Sequence, residues 1–470
     1  MKLKSFYLLL LLATIFTWSC EKDADVFAPV ISGADVDTVL NIGDKLVLAP
    51  DITNLVGVGY TWLVNGEEVA SGKTDYTFAA IEPGNFVVTF RAANKGGQGE
   101  QKFKILVEKP IAITLKSGLT VPICQVLDIE PYVDGPERND YEYQWAIGDS
   151  IIGQSATLPF ISVKPGDYTL MLTATAGKQS TTASCGVVVE EAEYSPYVTS
   201  LLEYSPSYGN ISSLLWLQPF NRESVEFSYP YSEYLTAVSQ HIKEQHYSEF
   251  GLGWWGGSAV FAFDHTVVNT STSTSDIQLY IFDYSQNEHA FWVAYDQNKN
   301  GKPDNDEWYE IKTDNWGKGD VLNYELTNIF SIKDLDDEKK EINLGWTDNQ
   351  GNDSPIPFPF EPFELPYVLP GSYFKDGISG MYDGWKDTYT LKGRLIKTQI
   401  PLRGAGARDL RITYNIKIAD AVDEYGDAVQ LPGIDFLKVQ NISMPYKVGS
   451  DTPLESVNVR VFSIKDNHLQ

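Results

Sequence analysis

Two stretches in the N-terminal half repeat one another, and each is built from short runs of alternating residues. The first reads YTWLVNGEEVASG, EPGNFVVTFRAANKGGQG and QKFKILVE; the second reads YEYQWAIGDSIIG, KPGDYTLMLTATAGKQS and CGVVVEE. Trp62 aligns with Trp145, Gly84 with Gly166 and Phe86 with Tyr168, at offsets of 83, 82 and 82 residues. Within a run, Phe86, Val88 and Phe90 alternate with Val87, Thr89 and Arg91. Period two places the first set on one face of a strand and the second on the other. Gly, Pro and Asn divide the runs, so each repeat should be a small antiparallel β-sandwich.

The Trp, the Gly-Asn/Asp-aromatic run and the closing strand resemble PKD-type Ig-like domains. The repeats are assigned to residues 27–108 and 109–191. Such a domain either binds a ligand or acts as a spacer. Neither repeat shows clustered aromatics or a charge constellation, which favours the spacer.

The chain has 470 residues, room for about three domains at roughly 100–200 residues each. Its formal charge of −27 opposes a nucleic-acid backbone, where affinity rests on Lys and Arg. The same acidity suits hard cations such as Ca2+. Residues 1–20 read as an address: Lys2 and Lys4, an apolar stretch from Leu8 to Phe16, then Ser19 before Cys20. This resembles a lipoprotein signal whose cleavage leaves Cys20 lipidated. The charged run Glu21 to Asp25 resembles the surface-export tag of Bacteroidetes lipoproteins, implying an outer-membrane, cell-surface location. Cys124 and Cys185 are either a disulfide pair of an exported protein or two buried thiols.

From residue 195 to 470 no repeat is visible. Strand-like runs dominate, among them SAVFAFDHTVV, DIQLYIFDY, HAFWVAYD, RDLRITYNIKI and IDFLKVQNI. Tyr231 to Tyr247 has helical spacing at Leu235, Val238 and Ile242. The expected fold is all-β: two tandem Ig-like sandwiches followed by a larger, jelly-roll-like sandwich over 195–470.

Residues 296–307, DQNKNGKPDNDE, satisfy the twelve-residue calcium-loop pattern. Calcium takes six to eight oxygens at about 2.3–2.6 Å. Asp296, Asn298, Asn300, Asp304 and Glu307 supply side-chain oxygens at the required positions, and Lys302 a backbone carbonyl. Asp306 is an alternative to Glu307. The flanks FWVAY and WYEIK are strand-like, so the loop should close a hairpin and not join two helices. An ion-free Asx-rich turn is the competing reading.

No nucleophile elbow, zinc-protease motif, P-loop or dinucleotide fingerprint occurs, so no enzyme is expected. His265 follows Asp264 in a strand, where neighbours point to opposite faces and should not form a dyad. Trp254 and Trp255 lie among glycines, and Tyr382 and Trp385 flank another Gly turn. These four are the candidate ligand-stacking residues, against the alternative that they are core. Pro355 to Pro370 reads as an extended apolar loop.

The runs GGSAVFAFDHTVVN, WVAYDQNKNGKPDNDEWYEI, GWTDNQGN and DAVDEYGDAVQLPGIDFLKVQ resemble the C-terminal domain of PKD-containing Bacteroidetes surface lipoproteins. The resemblance extends over most of 195–470. Some such proteins resemble accessory lipoproteins that bind vitamin B12 and related cobamides beside BtuB-type uptake systems. The resemblance therefore implies a cobamide-binding lipoprotein serving a TonB-dependent transporter. A glycan-binding surface lipoprotein is the second reading, since sugars also stack on Trp and Tyr.

Overall fold

In the computed structural model the period-two runs form sheets throughout. It describes residues 26–33, 35–205, 207, 231–246, 250–253, 255–271, 274–283, 287–336, 339–353, 358–359, 386–400, 410–449 and 459–469. Two compact units are distinguished. One holds Met1–Ser117, Glu130–Leu158 and Thr169–Gly186; the other holds Gly118–Ile129, Pro159–Tyr168 and Val187–Gln470.

The first repeat has a five-stranded sheet made of β1 (Val36–Asn41), β2 (Gly59–Val64), β3 (Glu67–Ser71), β4 (Gly84–Asn94) and β5 (Gly97–Glu108), in the order β1-β5-β4-β2-β3. Lys45–Leu48 pairs with Tyr76–Ala79, and Val30–Ser32 with Asp51–Thr53. The second repeat follows the same plan. Its strands β6 (Leu119–Pro122), β7 (Glu142–Ile147), β8 (Ser150–Gly153), β9 (Gly166–Ala176) and β10 (Gln179–Glu190) run in the order β6-β10-β9-β7-β8. In both sheets the first strand lies parallel to the last; β5-β4, β4-β2 and β2-β3 in the first sheet, and β9-β7 and β7-β8 in the second, are antiparallel.

The alternation read from sequence is the observed burial. Val88, Phe90 and Ala92 are buried while Val87 is exposed. Trp62 and Trp145 are both fully buried. Each indole donates to a loop carbonyl ten or eleven residues on: Trp62 Nε1 to Lys73 O at 3.1 Å, and Trp145 Nε1 to Ser155 O at 3.0 Å. A buried indole N–H without an acceptor would cost about 1–3 kcal/mol, so the same bond recurs with the repeat.

Beyond residue 195 the described residues form three sheets. The six-stranded one comprises β11 (Ser200–Ser205), β13 (Ser258–Val268), β23 (Gly433–Asn441), β15 (His289–Ala294), β16 (Trp308–Ile311) and β22 (Ala421–Val422), in that order. The four-stranded one comprises β12 (Phe250–Gly251), β25 (Val459–Asp466), β14 (Ile277–Asp283) and β21 (Leu410–Ile416). The five-stranded one comprises β19 (Phe358–Pro359), β18 (Lys339–Asp348), β17 (Val321–Asp336), β20 (Lys386–Ile400) and β24 (Ser443–Lys447). Phe261, Phe291, Val293, Leu437 and Val439 of the first sheet, Leu279, Ile281 and Val461 of the second, and Tyr324, Leu326 and Leu395 of the third share one core.

Among the described residues the helix α1 (Tyr231–Gln245) buries Val238 and Ile242 in this core and packs Leu235 against it, the face its spacing indicated. Among the described residues no helix is long and apolar enough to cross a membrane. Within the Pro355–Pro370 run only Phe358 and Pro359 are described. They pair with Leu344 and Asn343 as an edge strand, where Pro is tolerated because no ladder continues beyond it.

Candidate functional site

The calcium-pattern loop closes a hairpin, as its strand-like flanks indicated. β15 and β16 are antiparallel, with Ala294 opposite Trp308. The loop between them, 295–307, turns because Gly301 takes φ +76° and Lys299 takes φ +59°.

The side-chain oxygens turn inward and are bonded to the loop's own backbone. Asp296 accepts Asn300 N at 2.9 Å and Gly301 N at 2.7 Å, one on each carboxylate oxygen. Glu307 accepts Gln297 N at 3.0 Å and Asp304 N at 2.9 Å. Asn298 and Asn300 both donate amide N–H to Asp304 Oδ2, at 2.5 and 2.9 Å. Glu307 is buried and Asp306 is exposed, so Glu307 is the acid that faces in.

The donor types are those a hard cation takes, and as arranged they are bonded to the loop itself. Two amide nitrogens converge on the Asp304 carboxylate, while the oxygens of the same amides accept Asn300 N at 3.1 Å and Lys302 N at 2.7 Å. Among the described residues no three His, Cys, Asp or Glu side chains converge as a metal-binding group. The loop's acceptors are carboxylates mixed with amide and backbone oxygens, the set calcium takes and zinc does not.

A pocket of about 220 Å³ adjoins the loop, lined mainly by polar groups. Asp435 stands in it, accepting Thr266 Oγ1 at 2.6 Å and Asp296 N at 2.7 Å. Burial raises the Asp435 carboxyl above its usual range, partly offset by these bonds. Burial, with the nearby carboxylates of Asp128, Asp435 and Asp296, raises the Tyr295 phenol, so it is a donor at neutral pH.

The four candidate stacking residues have separate fates. Trp254, Tyr382 and Trp385 lie outside the described residues, as does Cys20. Trp255 is in the core at 1% exposure; its Nε1 donates to Arg394 O at 2.9 Å and its ring meets Tyr324 edge-on at 4.6 Å. It has no face to offer a ligand. Gly257 explains the local backbone: a Cβ there would lie 1.7 Å from Leu252 O. Cys124 and Cys185 are two separate buried thiols. Burial pushes Cys124 up to about 12, with a further contribution from Asp466.

One sequence expectation is corrected. Asp264 and His265 do meet, Oδ1 to Nδ1, at 2.9 Å. The pairing of β13 with β23 shifts register between Ala262 and Val267, so strict face alternation fails there. On its other side His265 Nε2 lies 2.9 Å from Asp466 Oδ2. His468 contacts both Asp466 at 2.9 Å and Asp276 at 3.3 Å. The chain Asp264-His265-Asp466-His468-Asp276 holds the C-terminal end of the fold.

Sequence reading missed an aromatic trough on the outer face of the four-stranded sheet. Tyr280 and Phe282 of β14, Arg411 of β21, and Phe462 and Ser463 of β25 line a cavity of about 250 Å³. Phe282 and Phe462 meet edge-on at 4.9 Å, and the Arg411 guanidinium lies 5.1 Å from the Phe282 ring centre. Only the period-two pattern of IQLYIFD hinted at it, by turning Tyr280 and Phe282 away from the core.

Residues 29–94 match the model of the PKD-like domain. No curated protein matches the chain. Among solved structures, the paired Ig domains of DIP-gamma are 13% identical, over 35% of this chain and 99% of that one, with a TM-score of 0.27. Extracellular domains 3–5 of Drosophila OTK are 12% identical, over 34% and 62%, with a TM-score of 0.27. The titin domains z1z2, solved with telethonin, are 15% identical, over 35% and 98%, with a TM-score of 0.18. At such TM-scores these likenesses carry no functional argument. The chain carries a PKD-like, Ig-type module, a class typical of surface proteins and of non-enzymatic binding elements.

Proposed function

We propose that this chain is a lipid-anchored outer-membrane surface protein that binds a bulky nutrient, a cobamide such as vitamin B12, and passes it to a TonB-dependent transporter. Cys20 carries the anchor, the two repeats act as a stalk, and the C-terminal sandwich carries the ligand. Calcium in the 296–307 loop is a structural ion, held by Asp296, Asn298, Asn300, Asp304, Glu307 and the Lys302 carbonyl. When bound it supplies positive charge that cross-links the loop's oxygens.

The observation that supports this reading is the trough of Tyr280, Phe282 and Phe462 beside Arg411. In a chain with 63 acidic and 36 basic residues, aromatic rings flanked by a guanidinium form a distinct local chemistry. A cobamide presents a broad ring system, an amide fringe and a phosphodiester. Rings take the apolar face, and Arg takes the phosphate. The cavity falls below the roughly 300–1,000 Å³ of an enclosing ligand site, so it would grip one edge of a large ligand.

Cyanocobalamin and a glycan panel titrated into the full chain test this. Saturable cyanocobalamin binding, weakened about tenfold or more by Phe282→Ala and Arg411→Ala, is the expected result. Binding of a polysaccharide with no response to cyanocobalamin would replace it with the glycan reading.

A further inference from the structure

We propose that the polar pocket beside the 296–307 loop is a separate binding site for one small polyhydroxylated molecule, of the size and chemistry of a single sugar unit. The proposal does not depend on the cobamide reading, because the pocket shares no residue with the aromatic trough.

Its lining residues all belong to the second compact unit. They come from far apart in sequence: Gln125 and Val126 follow β6, Thr266 is on β13, Tyr295 and Lys299 are on the hairpin, and Asp435 is on β23. The case rests on what these groups leave unsatisfied. The Tyr295 hydroxyl has no hydrogen-bond partner among the described residues, so it keeps a free donor. Lys299 gives one N–H to Asp128 at 3.0 Å and keeps two. Gln125 gives one amide N–H to Tyr194 at 3.0 Å and keeps the other, together with its carbonyl oxygen. Each Asp435 oxygen accepts one bond and retains a lone pair. The pocket therefore offers donors and acceptors interleaved on one small wall.

Ligand classes can be compared against that wall. An anion would face the carboxylates of Asp296 and Asp435. An apolar body would desolvate the Tyr295, Gln125 and Lys299 donors without replacing their water. A bare cation would meet those same N–H and O–H donors. A neutral polyol donates and accepts at every hydroxyl, so it can pair with both kinds of group at once. Val126 provides one apolar patch for a C–H face. At about 220 Å³ the space suits one small ring and not an oligomer.

The site is coupled to the loop. Asp296 lines the pocket and also caps the Asn300 and Gly301 N–H groups, and Lys299 sits at the loop tip. An ion that fixes the loop fixes both residues, so calcium and polyol should strengthen one another's binding by the same factor.

The test is titration of the full chain with glucose, galactose, mannose, N-acetylglucosamine and glycerol, in calcium and again in chelator. At least one sugar should bind. Tyr295→Phe, which removes one hydroxyl and no packing, should weaken that sugar tenfold or more while leaving the melt unchanged. Asp435→Asn should weaken it too, and chelator should do the same. Phe282→Ala should leave sugar binding intact, which separates this site from the trough. The proposal is overturned if no member of the panel binds, if only divalent ions do, or if Tyr295→Phe binds as tightly as wild type.

Discussion

The Glu307 carboxylate accepts the backbone N–H of Gln297 at 3.0 Å, so the last acid of the loop is bonded back to its second residue. With the Asp296 bonds to Asn300 and Gly301, this draws the loop into a ring of inward oxygens before any ion is considered. Pre-formed acceptors lower the ordering cost of binding an ion.

Calcium should therefore raise the melting temperature of the chain, and chelator should lower it. Binding to the folded state alone stabilises by about 2.7 kcal/mol at a hundredfold excess over Kd. A Kd on the order of 10⁻⁴–10⁻³ M would suffice outside a cell. Asp296→Ala should abolish most of the calcium-dependent shift in a calorimetric melt. An unmoved wild-type melt in chelator would mean that the loop is only a turn.

The Asp264-His265-Asp466-His468-Asp276 chain should make stability depend on pH. Burial opposes the charge on His468, but its contacts with Asp276 and Asp466 outweigh that and lift it to about 9 from its ordinary 6.5. A raised folded pKa stabilises while the group is protonated. That contribution is complete below about pH 6.5 and is lost as pH rises through about 9. Burial likewise opposes the Asp466 charge, yet its bonds to His265 and His468 lower it to about 2. Its contribution is present above about pH 3.8 and is lost as pH falls toward 2. The clamp is thus fully formed between about pH 3.8 and pH 6.5. His468→Gln should flatten the alkaline limb of stability against pH, measured by denaturant melts from pH 6 to 10. An unchanged limb would mean that other groups set it.

Much of the architecture was legible because period two is a local signal. Phe86, Val88 and Phe90 alternate in sequence and in burial, and the run SAVFAFDHTVV coincides with β13. Trp62 and Trp145 marked equivalent cores because one bulky indole in a short-strand repeat has few other places to go. The 296–307 hairpin loop was legible because its residues are contiguous. What failed to show depends on partners distant in the chain. Asp264 meets His265 only because β13 shifts register against β23. His265 meets Asp466 across 201 positions. The trough joins Phe282 to Phe462, and the polar pocket joins Gln125 to Asp435. Such pairs are set by strand order, which local patterning does not encode.

The N-terminal address should end in a lipid. Ser19-Cys20 closes a short apolar run, and acidic residues follow at once. Cys20→Ala should either release the protein from the membrane fraction or leave the signal uncut. Labelled fatty acid should be incorporated into the wild type and not into the variant. Equal labelling of both proteins would place the attachment elsewhere or remove it.

Trp255 should behave as a core residue and not as a ligand anchor. It is fully enclosed, its N–H is committed to Arg394 O, and its ring is wedged edge-on against Tyr324. Truncation to Ala would remove a whole indole from a packed core and leave the Arg394 carbonyl without its donor. Losses of this kind cost about 3–5 kcal/mol. In a sandwich of this size that is roughly 2–4 °C of melting temperature for each kcal/mol. An anchor would behave differently, costing about 2 kcal/mol or more in binding free energy with little change in the melt. Trp255→Ala should therefore melt well below wild type, while cyanocobalamin affinity, counted per folded molecule, stays within about twofold. A variant with a wild-type melt and much weaker affinity would return Trp255 to the ligand site and require the Gly251–Gly257 segment to open on binding.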